Sequence, residues 1–178
     1  MKDQGAIIFE VKYKSKFLHC SPRLKENLSK DINEIFSVIK NIKWKSDFTF
    51  TDDKGKKYMH QTGYNKAFHY VFKKLGWETY PKLNEKPNLI GDFGKDLIFG
   101  EIQFGNSSTL YRDFYKFQFG LQNGLLSIAI LIVPTKPDKF FPTRPRSVLN
   151  MAEYKLALRY FTILPISVPT LIIGLEPN

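Results

Sequence analysis

Ile7, Phe9, Val11 and Tyr13 interleave with Ile8, Glu10, Lys12 and Lys14, a period of two that predicts a half-buried strand. Ser21-Pro22 supplies an N-cap and a first-turn proline. Leu24, Leu28, Ile32, Ile35 and Ile39 then recur at helical spacing, which predicts an amphipathic helix from Ser21 to Ile42. Phe48 to Thr51, Asp52 to Gly55 and Lys56 to Tyr58 read as strand, turn and strand. A second helix is expected from Tyr64 to Leu75, with Phe68, Val71, Phe72 and Leu75 inward and Gly76 ending it. Pro81 to Asn88 reads as a polar loop.

Leu97 to Phe104 predicts a strand interrupted by Gly100, and Ser107-Ser108 a helix cap before Leu110, Phe114 and Phe117. Leu125 to Val133 is an apolar run with one serine, Ser127, expected as a strand buried on both faces. After a loop with four prolines, a helix is expected from Ser147 to Tyr160 and a last strand from Thr170 to Leu175. Strands and helices alternate in the second half, which predicts an α/β fold with a mixed sheet and helices on both faces. No repeat, low-complexity segment or linker divides the chain, so one domain over residues 1–178 is expected.

Charge changes the picture more than composition does. Lys and Arg outnumber Asp and Glu by 27 to 17, leaving +10, a balance that suits a polyanion and nucleic acid first. Simple solubility charge is the competing explanation. Cys20 stands alone, which excludes an intramolecular disulfide and points to a reducing cytoplasm. No apolar stretch is long enough to span a bilayer as a helix, and no signal peptide opens the chain, so no membrane partner is expected. Zinc-ligand spacing, a nucleophile elbow, a P-loop and a dinucleotide loop are all absent from the sequence. His69, beside Phe68, reads as a surface or satisfied residue, and Lys12, Lys14 and Lys16 as a solvated face.

One constellation carries candidate chemistry. Glu101 and Gln103 sit two apart on the predicted strand and so share a face. A tight turn around Gly94-Lys95 would fold Asp92 back against it. Two carboxylates brought together repel, and a hard divalent cation such as Mg²⁺ removes that conflict. A half-buried hairpin with an acidic polar side fits the same spacing. Downstream, Arg144 and Arg146 lie two apart on a proline-stiffened loop, Phe140 to Ser147, suited either to DNA or to plain exposure.

Together these residues resemble the PD-(D/E)XK nucleases, and within them the BglII–BstYI group of type II restriction endonucleases. The resemblance rests on Asp92-Phe93-Gly94-Lys95, then Glu101-Ile102-Gln103-Phe104-Gly105-Asn106, then a helix containing Arg112. It continues through Ala129 to Ile132, Phe141-Pro142, Met151 to Tyr154 and Leu171 to Leu175. Gln103 stands where most of the superfamily has lysine, which is the group's distinctive mark. The resemblance implies a restriction-endonuclease-like mixed central β-sheet flanked by helices. It also implies a homodimer that hydrolyses one phosphodiester per strand in a palindromic double-stranded DNA site, with Mg²⁺ as cofactor and Mn²⁺ as a substitute. Asp92, Glu101 and the Ile102 carbonyl are the implied metal ligands, and Gln103 holds the attacking water. An amide cannot accept the water's proton, so Gln103 is no general base.

Group members use a further residue upstream of the aspartate, a place for which Glu78 or Glu85 is available. Asn106, Ser107, Arg112, Arg144, Arg146 and Ser147 are the implied DNA contacts. Arginine pairs bidentately with guanine, so a GATC core with guanine or either purine outside it (RGATCY-like) is expected. A cognate methyltransferase encoded nearby belongs to the same picture. The helices Ser21 to Ile42 and Ser147 to Tyr160 are the candidate dimer faces. A junction-resolvase-like nuclease of the same fold would usually keep lysine at position 103. A non-catalytic DNA-binding module would not need Asp92, Glu101 and Gln103 together.

Overall fold

The computed structural model describes residues 9–86, 88–144, 146 and 148–177. The first half of the chain contributes β1 (Phe9–Glu10), β2 (Lys12–Leu18), α1 (Pro22–Asn27), α2 (Ser29–Asn41) and β3 (Lys43–Trp44). It continues with β4 (Thr49–Thr51), β5 (Lys57–Met59), α3 (His60–Lys74), β6 (Glu78–Thr79), β7 (Lys82–Asn84) and β8 (Leu89–Ile90). Then come β9 (Phe93–Lys95), β10 (Ile98–Ile102), α4 (Thr109–Gln122), β11 (Ile128–Pro134), α5 (Pro137–Phe140), α6 (Tyr154–Ile163) and β12 (Thr170–Glu176). Among the described residues, no helix is long and apolar enough to cross a membrane.

Six strands form the central sheet in the order β2-β12-β11-β10-β9-β6. Its middle, β10, β11 and β12, is parallel, while β2, β9 and β6 pair antiparallel at the flanks. Parallel neighbours need crossovers, and α4 and then α5 with α6 make them. The strand period of two sorts the core into two layers. From β11, Ile128, Ile130 and Ile132 pack with α2 and α3, through Ile35, Ile39, Phe68 and Phe72. The intervening Ala129, Leu131 and Val133 pack with α4 and α6, through Leu110, Phe114, Phe117 and Phe161. All seven residues of β11 are buried, as an apolar run with no polar alternation requires.

Several boundaries differ from the sequence pattern for identifiable reasons. The expected stretch is divided at Val11: Phe9 and Glu10 form β1 against β3, while Lys12 to Lys14 open β2, which runs on to Leu18 paired with β12; Ile7 and Ile8 lie outside the described residues. The predicted long helix is split at Leu28 into α1 and α2, between Asn27 and Ser29, both poor helix formers. Its start is as expected, with Ser21 Oγ accepting the Leu24 N–H at 3.1 Å. The second helix begins four residues early, because β5 runs straight into His60, whose N–H donates to the Phe48 carbonyl at 2.9 Å. The loop 81–88 contains β7, paired with β8.

Asn106, not a serine hydroxyl, opens α4: its Oδ1 accepts the Ser108 N–H at 2.9 Å. The last helix starts at Tyr154 because Met151 bridges back to Asn106 and the Ala152 N–H reaches the Gly105 carbonyl, which keeps that segment extended. The turn before β10 lies at Asp96-Leu97, with Asp96 at φ 51°, since Gly94 and Lys95 are used in β9.

Gly100 sits opposite Phe93 in the β9–β10 pair, and a Cβ there would collide with the Phe93 ring. The bare backbone lets that ring stack on Phe72 of α3, centroids 4.0 Å apart and planes 10° from parallel. Gly100→Ala should therefore displace a buried ring and cost about 1–3 kcal/mol. A denaturant titration should give a lower midpoint with an unchanged slope. An unmoved midpoint would mean that the ring packing does not depend on this glycine.

Candidate active site

The pleat of β10 sends Ile98 and Ile102 into the α2–α3 layer and Phe99 to the α4 side. Glu101 and Gln103, in step with Phe99, therefore face α4. Asp92 is folded against the same strand from the other side of the Asp96-Leu97 turn. Its N–H donates to the Gly100 carbonyl at 2.9 Å, and its Oδ2 accepts the Ile102 N–H at 2.7 Å. Asp92, Glu101, Ile102 and Gln103 thus line one cleft of about 290 Å³ with Asn65, Ile90, Thr109, Arg112, Asp113 and Lys116.

Glu101 is 5% exposed, Asp113 2% and Lys116 5%. Lys116 Nζ donates to Glu101 Oε1 and to the Ile90 carbonyl, the latter at 3.1 Å, and pairs with Asp113 Oδ1 at 3.2 Å. Gln103 Nε2 donates to Asp113 Oδ2 at 2.7 Å, and Gln103 Oε1 accepts the Gly105 N–H at 2.8 Å. Burial pushes the Glu101 carboxyl well above its ordinary range, helped by the charges of Asp113 and Asp92 and opposed by Lys116. Burial also raises Asp113, against the pull of Lys116 and Gln103. Neither Asp113 nor Lys116 figured in the sequence reading. A signal existed: Asp113 falls on the apolar stripe of Leu110, Phe114 and Phe117, where a charged side chain needs a partner.

Helix α3 supplies two more polar groups, Asn65 and His69, one turn apart. His69 is 8% exposed and is neither a surface nor a satisfied residue. Its Nε2 lies 3.4 Å from Asp92 Oδ1 without hydrogen-bond geometry, so both ring nitrogens lack a hydrogen-bond partner among the described residues. Asn65 Oδ1 is likewise buried without one. Glu78 lines a separate hollow with Lys82, Leu83 and Lys95, and Glu85 lies in the turn after β7. Neither belongs to the lining of the Asp92 cleft, which includes Asn65, and His69 lies beside Asp92.

The proposed DNA contacts divide into three places. Arg112 lines the cleft, with Nη2 3.5 Å from the Asn88 carbonyl. Asn106 and Arg146 share a second hollow with Phe104, Gly105, Asn150 and Met151, and the Ser107 N–H reaches the Asn150 carbonyl at 2.7 Å. Arg144 turns toward α3 instead, its Nη1 donating to Gln61 Oε1 at 2.9 Å. Ser147 lies outside the described residues.

Two carboxylates and a strand carbonyl offer oxygen alone, the chemistry of a hard divalent cation that keeps several waters. Among the described residues no three His, Cys, Asp or Glu side chains group as a complete metal cage. The acids themselves carry a pH signature. Their ordinary values are 4.5 and 3.8, and both are raised on folding. The native state then holds these protons more tightly, so the stabilisation is full below the ordinary values and is lost as pH rises through the folded ones. In chelator, the melting temperature of Glu101→Gln should gain on that of the unsubstituted protein between about pH 4 and pH 8. A gap that stays constant across this range would exclude Glu101 as the titrating group.

The fold has a counterpart. The crystal structure of restriction endonuclease BglII complexed with a DNA 16-mer aligns with a TM-score of 0.64 at 15% identity, over 94% of this chain and 77% of that one. Among curated proteins, none matches the sequence. The model of the family described as restriction endonuclease BglII/BglIII matches residues 13–175. This chain belongs to the BglII/BglIII family of type II restriction endonucleases, enzymes that cut DNA at specific sites.

Proposed function

We propose that this protein hydrolyses one phosphodiester in each strand of a short palindromic duplex with a GATC core, RGATCY-like, using Mg²⁺ at Asp92, Glu101 and the Ile102 carbonyl. What supports this reading is the cleft in which both carboxylates, that carbonyl and Gln103 lie together beside α4. The cation, once bound, supplies Lewis acidity for the scissile phosphate and the attacking water. Mn²⁺ shares the preference for oxygen ligands and substitutes for it. The chain's own residues bind and orient. Asp92 is held by the Ile102 N–H, which fixes its Oδ2 on the strand. Gln103 orients the water without exchanging a proton, because a carboxamide does not titrate.

Cutting both strands of a palindrome calls for two cleavage centres related by a two-fold axis, hence a C₂ dimer. Each protomer presents Asn106, Ser107, Arg146 and Arg144 to one half-site, with Arg112 at the phosphates. A cell that carries such an activity needs its own sites masked, which a cognate methyltransferase encoded nearby accomplishes. The +10 charge supports the same partner, since duplex DNA attracts a basic surface whatever its sequence.

Asp92→Asn and Glu101→Ala should each abolish Mg²⁺-dependent cleavage while leaving DNA binding largely intact, because the carboxylates act on the cation and not on base edges. Cleavage assays with gel-shift controls decide this. Near-normal cutting by either variant would move the active centre elsewhere.

If Arg144 or Arg146 reads an outer guanine, its alanine variant should lose about 1–3 kcal/mol of discrimination at that base pair alone. A phosphate contact would instead weaken all sequences alike and reduce the salt slope by about one unit. Substrates varied at the outer pair, cut at two salt concentrations, separate the two. Full retention of preference in both variants would remove this loop from sequence reading.

A further inference from the structure

Helix α4 meets β10 through an unbroken run of polar contacts. Lys116 bonds Glu101 and the Ile90 carbonyl and pairs with Asp113; Asp113 accepts from Gln103; Gln103 accepts from the Gly105 N–H. Asp113 and Lys116 lie one turn apart, about 4.5 Å along the helix, and Glu101 and Gln103 about 6.6 Å apart along the strand, a difference that the long lysine side chain takes up. An ammonium has three N–H donors, and Lys116 has three oxygens around it.

The chemistry of these partners fixes the carboxamide of Gln103. Asp113 as a carboxylate only accepts, and the Gly105 N–H only donates. Rotating the amide by half a turn would set its oxygen against the carboxylate and its NH₂ against the N–H, which are two repulsive contacts. One N–H and one lone pair of Gln103 therefore remain, in directions that the helix determines. Asp113 is otherwise hard to account for, since an apolar residue beside Leu110, Phe114 and Phe117 would pack there without needing a partner.

We propose that Asp113 and Lys116 are positioning residues of this centre: α4 orients Gln103 through Asp113 and Glu101 through Lys116. This rests on the reading of the cleft as the place of cleavage. The strand alone supplies the order of the functional residues, and the helix supplies their angles.

The test uses the full chain, labelled with ¹⁵N, without metal or DNA. The Gln103 side-chain amide, assigned by its loss in Gln103→Ala, should lie away from solvent-exposed glutamine amides and exchange slowly with water. Asp113→Leu should return it to the exposed position. The Lys116 ammonium should be visible and should shift in Glu101→Gln. Cleavage provides the second arm. In single turnover with saturating Mg²⁺, Asp113→Leu should slow cutting by about 10–10²-fold, as misplaced reacting groups do. The double variant Asp113→Leu/Gln103→Ala should be no more than about twofold slower than Gln103→Ala alone, the non-additivity expected of residues acting as one unit. Losses that multiply would overturn the proposal. So would an exposed, fast-exchanging Gln103 amide or an invisible Lys116 ammonium in the unsubstituted protein, a readout that stands even if Asp113→Leu does not fold. A protein that gives both signals but cuts no DNA with Mg²⁺ would keep the clamp and refute the cleft as the cleavage centre.

Discussion

Three carboxylates in a poorly solvated cleft are the constraint around which this molecule is arranged. Burial makes Glu101 and Asp113 costly to ionise, and the neighbouring charge of Asp92 adds to that cost at both, as that of Asp113 does at Glu101. Positive charge has to be brought to them. Lys116 does so from α4, and a divalent cation does so in the proposed reaction. Removing one member of such a buried pair typically costs about 3–5 kcal/mol, because the other charge is left without compensation. In the proposed reading, the cleft is a place where stability is spent on chemistry.

The fold absorbs that cost elsewhere. β11 is buried along its whole length and feeds two separate apolar layers, with each well-buried large side chain contributing about 1.5–3 kcal/mol. The cleft lies where this double-sided packing stops. Phe99 of β10 is still inside the α4 layer, and two residues on, Glu101 occupies the same face beneath the first half of the helix, bonded to Lys116. The antiparallel β9 brings Asp92 to that point, and Gly100 lets Phe93 lie flat enough for the pair to close. On the opposite edge of β9, Lys95 bridges Asp31 and Glu34, each at 2.9 Å, and Glu34 also accepts from the Trp77 indole at 3.0 Å. The strand that carries Asp92 is in this way tied to α2 as well as to β10.

The loop after α5 illustrates how sequence spacing and spatial placement part company. Arg144 and Arg146 are two apart in the chain, yet one is bonded to Gln61 at the start of α3 and the other shares a hollow with Asn106. The two guanidinium groups therefore belong to different neighbourhoods.

Sequence determined what depends on short-range periodicity. The alternation along β10 put Glu101 and Gln103 on one face, the apolar run of β11 announced a strand buried on both sides, and Ser21-Pro22 announced a helix start. Each follows from the fixed geometry of one element, which no distant residue can change. Tertiary structure decided what depends on partners. β2 slid toward Leu18 because β12 offered it a ladder, and α6 began late because Met151 and Ala152 pair with residues 105 and 106. The cleft's helix-borne members were set the same way: Asp113, Lys116, Asn65 and His69 are ordinary residues until the crossover of α4 and the packing of α3 carry them to Asp92 and Glu101. Burial and pairing are properties of contacts between distant segments, and a local pattern holds no information about which segments will meet.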